Sequence, residues 1–113
     1  MKVTEFIKVL NAECVTRLIT DDKNYNFAFA SDLMSDVLAL ADSSTVLITG
    51  LNNPQVIRTA EMMDISLIIL VRGKIPSKET IELATEANIT ILTTHSIMFE
   101  TCGILYKSGL RPI

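Results

Sequence analysis

The sequence predicts an α/β fold, a three-layer α/β/α sandwich with a mostly parallel sheet. Runs of β-branched and apolar residues at Thr45–Thr49, Leu67–Val71 and Ile89–Thr93 alternate with stretches of helical period. Single helices between strands imply right-handed crossovers, and so strands that run parallel. Each run also ends in a small polar cluster that opens the next helix: TVLIT into GLNNPQ, SLIILV into RGKIPS, TILTT into HSIMF. A chain of 113 residues has the length of one domain and can bury roughly two thirds of its unfolded surface. One domain over residues 1–113 is therefore expected.

The elements follow in order. Thr4 can cap a short helix reaching about Leu10, with Phe6 and Leu10 one turn apart and facing inward. It reads as an outrigger. Glu13–Ile19 is β-branched enough for a strand, broken by the polar run Thr20–Asn24. This strand can run antiparallel or sit at an edge, and the strand order does not follow from the sequence. Tyr25–Ala30 alternates, with Tyr25, Phe27 and Phe29 on one face and Asn26, Ala28 and Ala30 on the other. The small second face would let a helix pack close.

Ser31 or Asp32 can cap a helix over Leu33–Ala41, whose stripe is Leu33, Met34, Val37, Leu38 and Ala41. Asn53 before Pro54 is a strong helix start, because Asn caps well and Pro at the first helical position forfeits no needed N–H. Val56, Ile57, Ala60 and Met63 face that helix inward. Leu67–Val71 is apolar throughout, as expected of a strand covered on both faces. After Pro76 and the cap Ser77, a helix runs to about Ala87. Ser96 caps the last helix, which ends at Gly109 with Pro112 barring continuation. Gly103 inside it suggests close backbone approach to the sheet or to another helix.

The net charge of −3 and a pI near 5.0 offer no basic field, and the ten Lys and Arg are scattered. Nucleic acid is not an expected partner. No apolar run approaches the roughly 18 residues that span a bilayer, and MKVTEFIK is amphipathic, unlike a signal peptide. A membrane is not expected either, and the chain reads as cytoplasmic. Cys14 and Cys102 stand far apart, with no Cys-x-x-Cys and no second His to complete a metal set. They read as free thiols in a reducing compartment. Cys102 shares an apolar helix face with Met98, Phe99, Leu105 and Tyr106 and reads as packing, not as a nucleophile.

From about Phe29 onward the segments SDLMSDVLA, VLITGLNNPQVIRTAEMMDI, LIILVRGKIPSKETIELATEANITILTT and HSIMFETCGILY resemble the DRTGG domain. That domain is described as similar to the amino-terminal domain of HPr kinase/phosphorylase, and the likeness is greatest to short stand-alone members. Where many members carry Gly-Asp-Arg after the strand, this chain has Gly50-Leu51-Asn52-Asn53; where they carry Thr-Gly-Gly, it has Val71-Arg72-Gly73. The resemblance implies a non-catalytic regulatory or dimerising module. It does not carry over kinase activity, whose P-loop belongs to the carboxyl-terminal domain of the HPr kinases.

In open parallel sheets ligands bind outside the carboxyl ends of the strands. The candidate ligand residues there are Gly50, Asn52, Asn53, Arg72, Gly73, Thr94 and His95, with Thr49 and Thr93 beside them. A helix start offers unpaired N–H groups, and Arg72 adds a fork for phosphate or carboxylate. A phosphate cradle of the form G-x-x-x-x-G-K-[ST] does not occur. No catalytic residue, metal or cofactor is assigned. Asp32 and Asp36 read as cap and solvated carboxylate, and Glu79, Glu82 and Glu86 as a solvated helix face. The expected function is a regulatory or protein-interaction domain that senses an anionic small molecule or nucleotide. The expected partner is a second copy, met through Leu40, Met62 and Ile104 at the margins of their helices, with a protein partner besides. The alternative is a small hydrolase or transferase using His95 as a general base.

Overall fold

A computed structural model describes residues 1–17 and 23–113. The carboxyl-terminal part of the expected strand Glu13–Ile19, and Thr20–Asp22 of the expected turn, lie outside the described residues.

The strands are β1 (Glu13–Cys14), β2 (Phe27–Ala30), β3 (Thr45–Thr49), β4 (Leu67–Leu70), β5 (Thr90–Thr93) and β6 (Arg111–Pro112). They form one sheet in the order β1-β5-β4-β3-β2-β6, parallel except for β1. β1 is thus both antiparallel and at an edge. The helices are α1 (Val3–Leu10), α2 (Met34–Leu40), α3 (Pro54–Met62), α4 (Lys78–Glu86) and α5 (Met98–Lys107).

Period-2 alternation in the central strands divides the core into two layers. Val46, Ile48, Leu67, Ile69, Val71 and Leu92 face α1 and α5, where Phe6, Leu10 and Leu105 meet them. Leu47, Ile68, Leu70 and Ile91 face α2, α3 and α4, where Val37, Val56, Ile57, Ala60 and Ala84 complete the second cluster. The result is the expected three-layer sandwich.

Local signals set several boundaries. The Asn53 side chain accepts from the Val56 N–H at 3.3 Å, with Pro54 as the first residue of α3. Ser77 caps α4 by accepting from the Thr80 N–H at 3.2 Å. Gly109 closes α5 at φ 112°, and the Leu110 N–H reaches back to the Leu105 carbonyl.

Elsewhere non-local contacts overrule the sequence reading. α1 is no outrigger. Phe6 is fully buried, meets Tyr25 edge-on at 6.1 Å, and Thr94 Oγ1 donates to the Leu10 carbonyl. Its first turn is closed by Glu5, which accepts from the Lys2 N–H, and not by Thr4. Tyr25 leaves the alternation of β2 and packs in the α1–α5 layer, with its hydroxyl 2.6 Å from Ser66 Oγ. Asp32 does not cap α2; Ser31 Oγ accepts from the Leu33 N–H, while Leu33 and Leu38 are exposed. Ser96 does not cap α5, whose first flanking residue is Ile97. Gly103 meets nothing within 4 Å in its own chain, so no close approach inside the subunit explains it.

Candidate functional site

The carboxyl ends of β3, β4 and β5 lie side by side, so their three following loops share one edge. Backbone bonds tie these loops together. The Arg72 N–H donates to the Ser96 carbonyl at 2.9 Å, and the Gly73 N–H to the Thr94 carbonyl at 2.8 Å. The turn after β4 therefore rests on the turn after β5.

Two side chains lie over two glycines. Arg72 Nη2 is 2.7 Å from the point a β-carbon on Gly50 would occupy, so the guanidinium sits against the bare backbone of the β3 loop. His95 Nδ1 lies 3.0 Å from the corresponding point on Gly73. The sequence candidates Gly50, Arg72, Gly73 and His95 thus come together. Arg72 and His95 are exposed, and neither side chain has a hydrogen-bond partner among the described residues.

Arg72 also adopts φ 63°. Among the described residues the other non-glycine residues at positive φ are Asn11, Asp64 and Asn88, the residue types that tolerate the left-handed region. Arginine does not share that tolerance. Residues held in strained conformations concentrate at binding and switch sites, so the outlier itself points to this edge.

The other candidates serve the fold. Asn53 caps α3, and Asn52 Nδ2 donates to the Ile75 carbonyl at 3.0 Å, fastening the β3 loop to the β4 loop. Thr94 is buried, and its hydroxyl is committed to Leu10 and to the Ser96 N–H. The apolar gap under the β3 loop, between Leu51, Val56, Ile57 and Leu70, has no room for a water molecule. The site is an open polar surface, not a cavity.

One residue of the site was invisible to sequence reasoning. Asp32 Oδ1 accepts from Thr49 Oγ1 at 2.9 Å and from the Gly50 N–H at 2.7 Å. A carboxylate therefore already occupies the Gly50 N–H, and at the expected helix start the Val56 N–H is taken by the Asn53 side chain. No spacing rule would find it, because the contact depends on β2 and β3 lying parallel, with Ala30 opposite Ile48. Among the described residues no group of His, Cys, Asp and Glu could hold a metal ion, and no helix is long and apolar enough to cross a membrane.

The fold and site define a small α/β domain with a polar loop edge on a parallel sheet. It belongs to the DRTGG domain family, whose match runs over residues 5–108. Among solved structures it is similar to the regulatory region of a Clostridium perfringens pyrophosphatase. That crystal structure holds CBS and DRTGG domains complexed with the activator diadenosine tetraphosphate. The TM-score is 0.80 at 22% sequence identity, covering 96% of this chain and 47% of that one. The chain spans about half the length of that neighbour, and the likeness is one of fold. No curated protein sequence matches the chain.

Proposed function

We propose that residues 1–113 act as one non-catalytic regulatory and interaction domain. It pairs with a second copy and takes an anionic metabolite or nucleotide at the edge formed by Gly50, Arg72, Gly73 and His95. Arg72 carries the reading. Its backbone is held in the left-handed region by the bond from its N–H to the Ser96 carbonyl, its guanidinium lies over a glycine, and no hydrogen bond within the described residues engages that guanidinium. A ligand that accepts from the guanidinium accounts for a charged fork set over bare backbone without a partner.

Asp32 refines the chemistry. A bare phosphate at Gly50 would meet the Asp32 carboxylate already bonded there. A ligand with hydroxyl donors as well as phosphate oxygens suits a carboxylate beside a guanidinium, and a nucleotide has both. The pyrophosphatase neighbour supports a regulatory role, since the structure this chain matches over 47% of its length is a regulatory region of CBS and DRTGG domains complexed with diadenosine tetraphosphate. Catalysis has less support, because among the described residues the His95 side chain is hydrogen-bonded to neither a nucleophile nor an orienting acid.

Self-pairing is supported by exposed apolar side chains, including Leu40 at 61% and Met62 at 73%. Ile104, by contrast, packs partly against the core.

Thermal shift tests the ligand half. ATP, AMP, diadenosine tetraphosphate and inorganic phosphate are added separately to the wild-type protein and to Arg72→Ala. A nucleotide that binds only the folded state raises Tm, and the variant should lose the rise. A flat response to all four would remove the ligand proposal. Nucleotide hydrolysis that His95→Ala abolishes would replace it with the enzyme reading.

A further inference from the structure

The face of α5 that points away from the core carries Phe99 and Gly103, which the fold does not use, and Glu100 and Lys107, which suit the helix dipole from the first and last turns. Phe99 is 85% exposed. Gly103, one turn later, meets nothing within 4 Å, although glycine inside a helix is destabilising relative to alanine. Glu100 and Lys107 flank it, exposed and without an ion-pair partner among the described residues. Beside the helix lies a largely apolar cleft of about 160 Å³ whose lining includes Ala28, Ala30, Cys102, Tyr106, Leu110 and Arg111, the last with its guanidinium 4.7 Å over the Tyr106 ring.

We infer that a second copy of this chain docks here, α5 against α5, antiparallel, with the two-fold axis at Gly103. This rests on the homodimer reading but puts its surface on the α1–α5 layer, across the sheet from Leu40 and Met62, which this pairing leaves uncovered. At about 100° per residue, Gly103 is at the centre of the outward face; Phe99, Cys102 and Tyr106 fall to one side of it, Glu100 and Lys107 to the other. An antiparallel two-fold keeps those sides and reverses the helix direction. Phe99 of one copy then arrives about 6 Å beyond the partner's midpoint, on the side of Cys102 and Tyr106. Cys102, Tyr106 and Leu110 on that side line the cleft. An apolar cavity of about 150 Å³ accepts a benzene ring, so the cleft has the size and polarity for Phe99.

On the opposite side the same operation brings Glu100 level with Lys107 of the other copy, twice per dimer. Gly103 keeps the two backbones free of a side chain where they cross. A surface that presents a ring, a cleft for a ring and both halves of an ion pair, all related by one axis, is complementary to itself. A partner of another sequence would have no reason to match all of them.

Sedimentation equilibrium over a range of concentrations tests this on the wild type, Phe99→Glu, Gly103→Leu, Glu100→Lys, Lys107→Glu and the double reversal Glu100→Lys/Lys107→Glu. All these positions are exposed or face open space within the subunit, and unchanged circular-dichroism melts of diluted protein will verify that folding is intact. The wild type should be a dimer. Phe99→Glu and Gly103→Leu should raise the dimer Kd at least tenfold, each single reversal should weaken it, and the double reversal should recover most of the loss. A wild-type dimer unaffected by Phe99→Glu and Gly103→Leu would overturn this surface and leave the homodimer reading standing. Single-reversal losses that the double variant does not recover would overturn the antiparallel register. A wild type that is monomeric at every concentration would overturn both the surface and the homodimer.

Discussion

The guanidinium of Arg72 lies directly over Gly50, with Nη2 2.7 Å from where a β-carbon would stand. Only glycine leaves that seat open. Gly50 is not in the left-handed region, so alanine there meets no backbone penalty and displaces only the far end of a flexible, exposed side chain. Gly50→Ala should therefore cost less than about 1 kcal/mol in urea unfolding. It should nonetheless diminish any nucleotide-induced rise in Tm, because the guanidinium has moved. Normal ligand response in Gly50→Ala would separate Arg72 from the site.

Gly73 behaves differently. It combines φ 66° with a β-carbon position 3.0 Å from His95 Nδ1. Gly73→Ala should lower stability by about 1–2 kcal/mol, the left-handed penalty for a residue with a side chain. The midpoint of urea unfolding measures it, with the slope unchanged if only the folded state is affected.

Asp32 holds the β3 loop through two hydrogen bonds, to Thr49 Oγ1 and to the Gly50 N–H. Asp32→Ala removes both and should destabilise by about 1–2 kcal/mol, since bonds to an ionised acceptor are the stronger kind but this one is exposed. Asp32→Asn retains an acceptor oxygen and should lose roughly half as much. Equal stability of all three proteins would show that the loop is held by other contacts.

Burial pushes the Cys102 thiol above its ordinary value of 9.0. The thiolate is the reactive form, so at pH 8 Cys102 should react with a disulfide reagent more slowly than a free cysteine does. The rate should climb only as the pH passes above the ordinary thiol range. Reaction as fast as free thiol at pH 8 would mean that the α5 cleft is open and polar.

Elements set by nearest neighbours in the chain were legible in the sequence. β3, β4 and β5 are apolar because helices cover both their faces, and Asn53-Pro54, Ser77 and Gly109 act within a turn of themselves. Parallel strands put their carboxyl ends on one edge, which grouped Gly50, Arg72, Gly73 and His95 with Asn52, Asn53 and Thr94; which of them meet depends on the strand order, which the sequence does not carry. Contacts between distant segments were not legible. Asp32 finds Thr49 and Gly50 across the β2–β3 pairing, Phe6 finds Tyr25, and Thr94 turns its hydroxyl inward to the end of α1. Thr94, Asn52 and Asn53 look like ligand groups in a string of polar residues. Their hydrogen bonds, invisible in that string, tie Asn52 Nδ2, Asn53 Oδ1 and the Thr94 hydroxyl to the scaffold.

Isothermal titration of wild type and Arg72→Ala with diadenosine tetraphosphate and ATP tests the central claim most directly. The alanine keeps the backbone in place and leaves an exposed position apolar, so urea unfolding should give nearly equal stabilities. Loss of a charge-assisted hydrogen bond is worth about 1.5–3 kcal/mol, which raises Kd tenfold or more. The account requires wild-type binding of at least one of these nucleotides and that loss in Arg72→Ala. Binding of equal strength in both proteins, or none in the wild type, would contradict it.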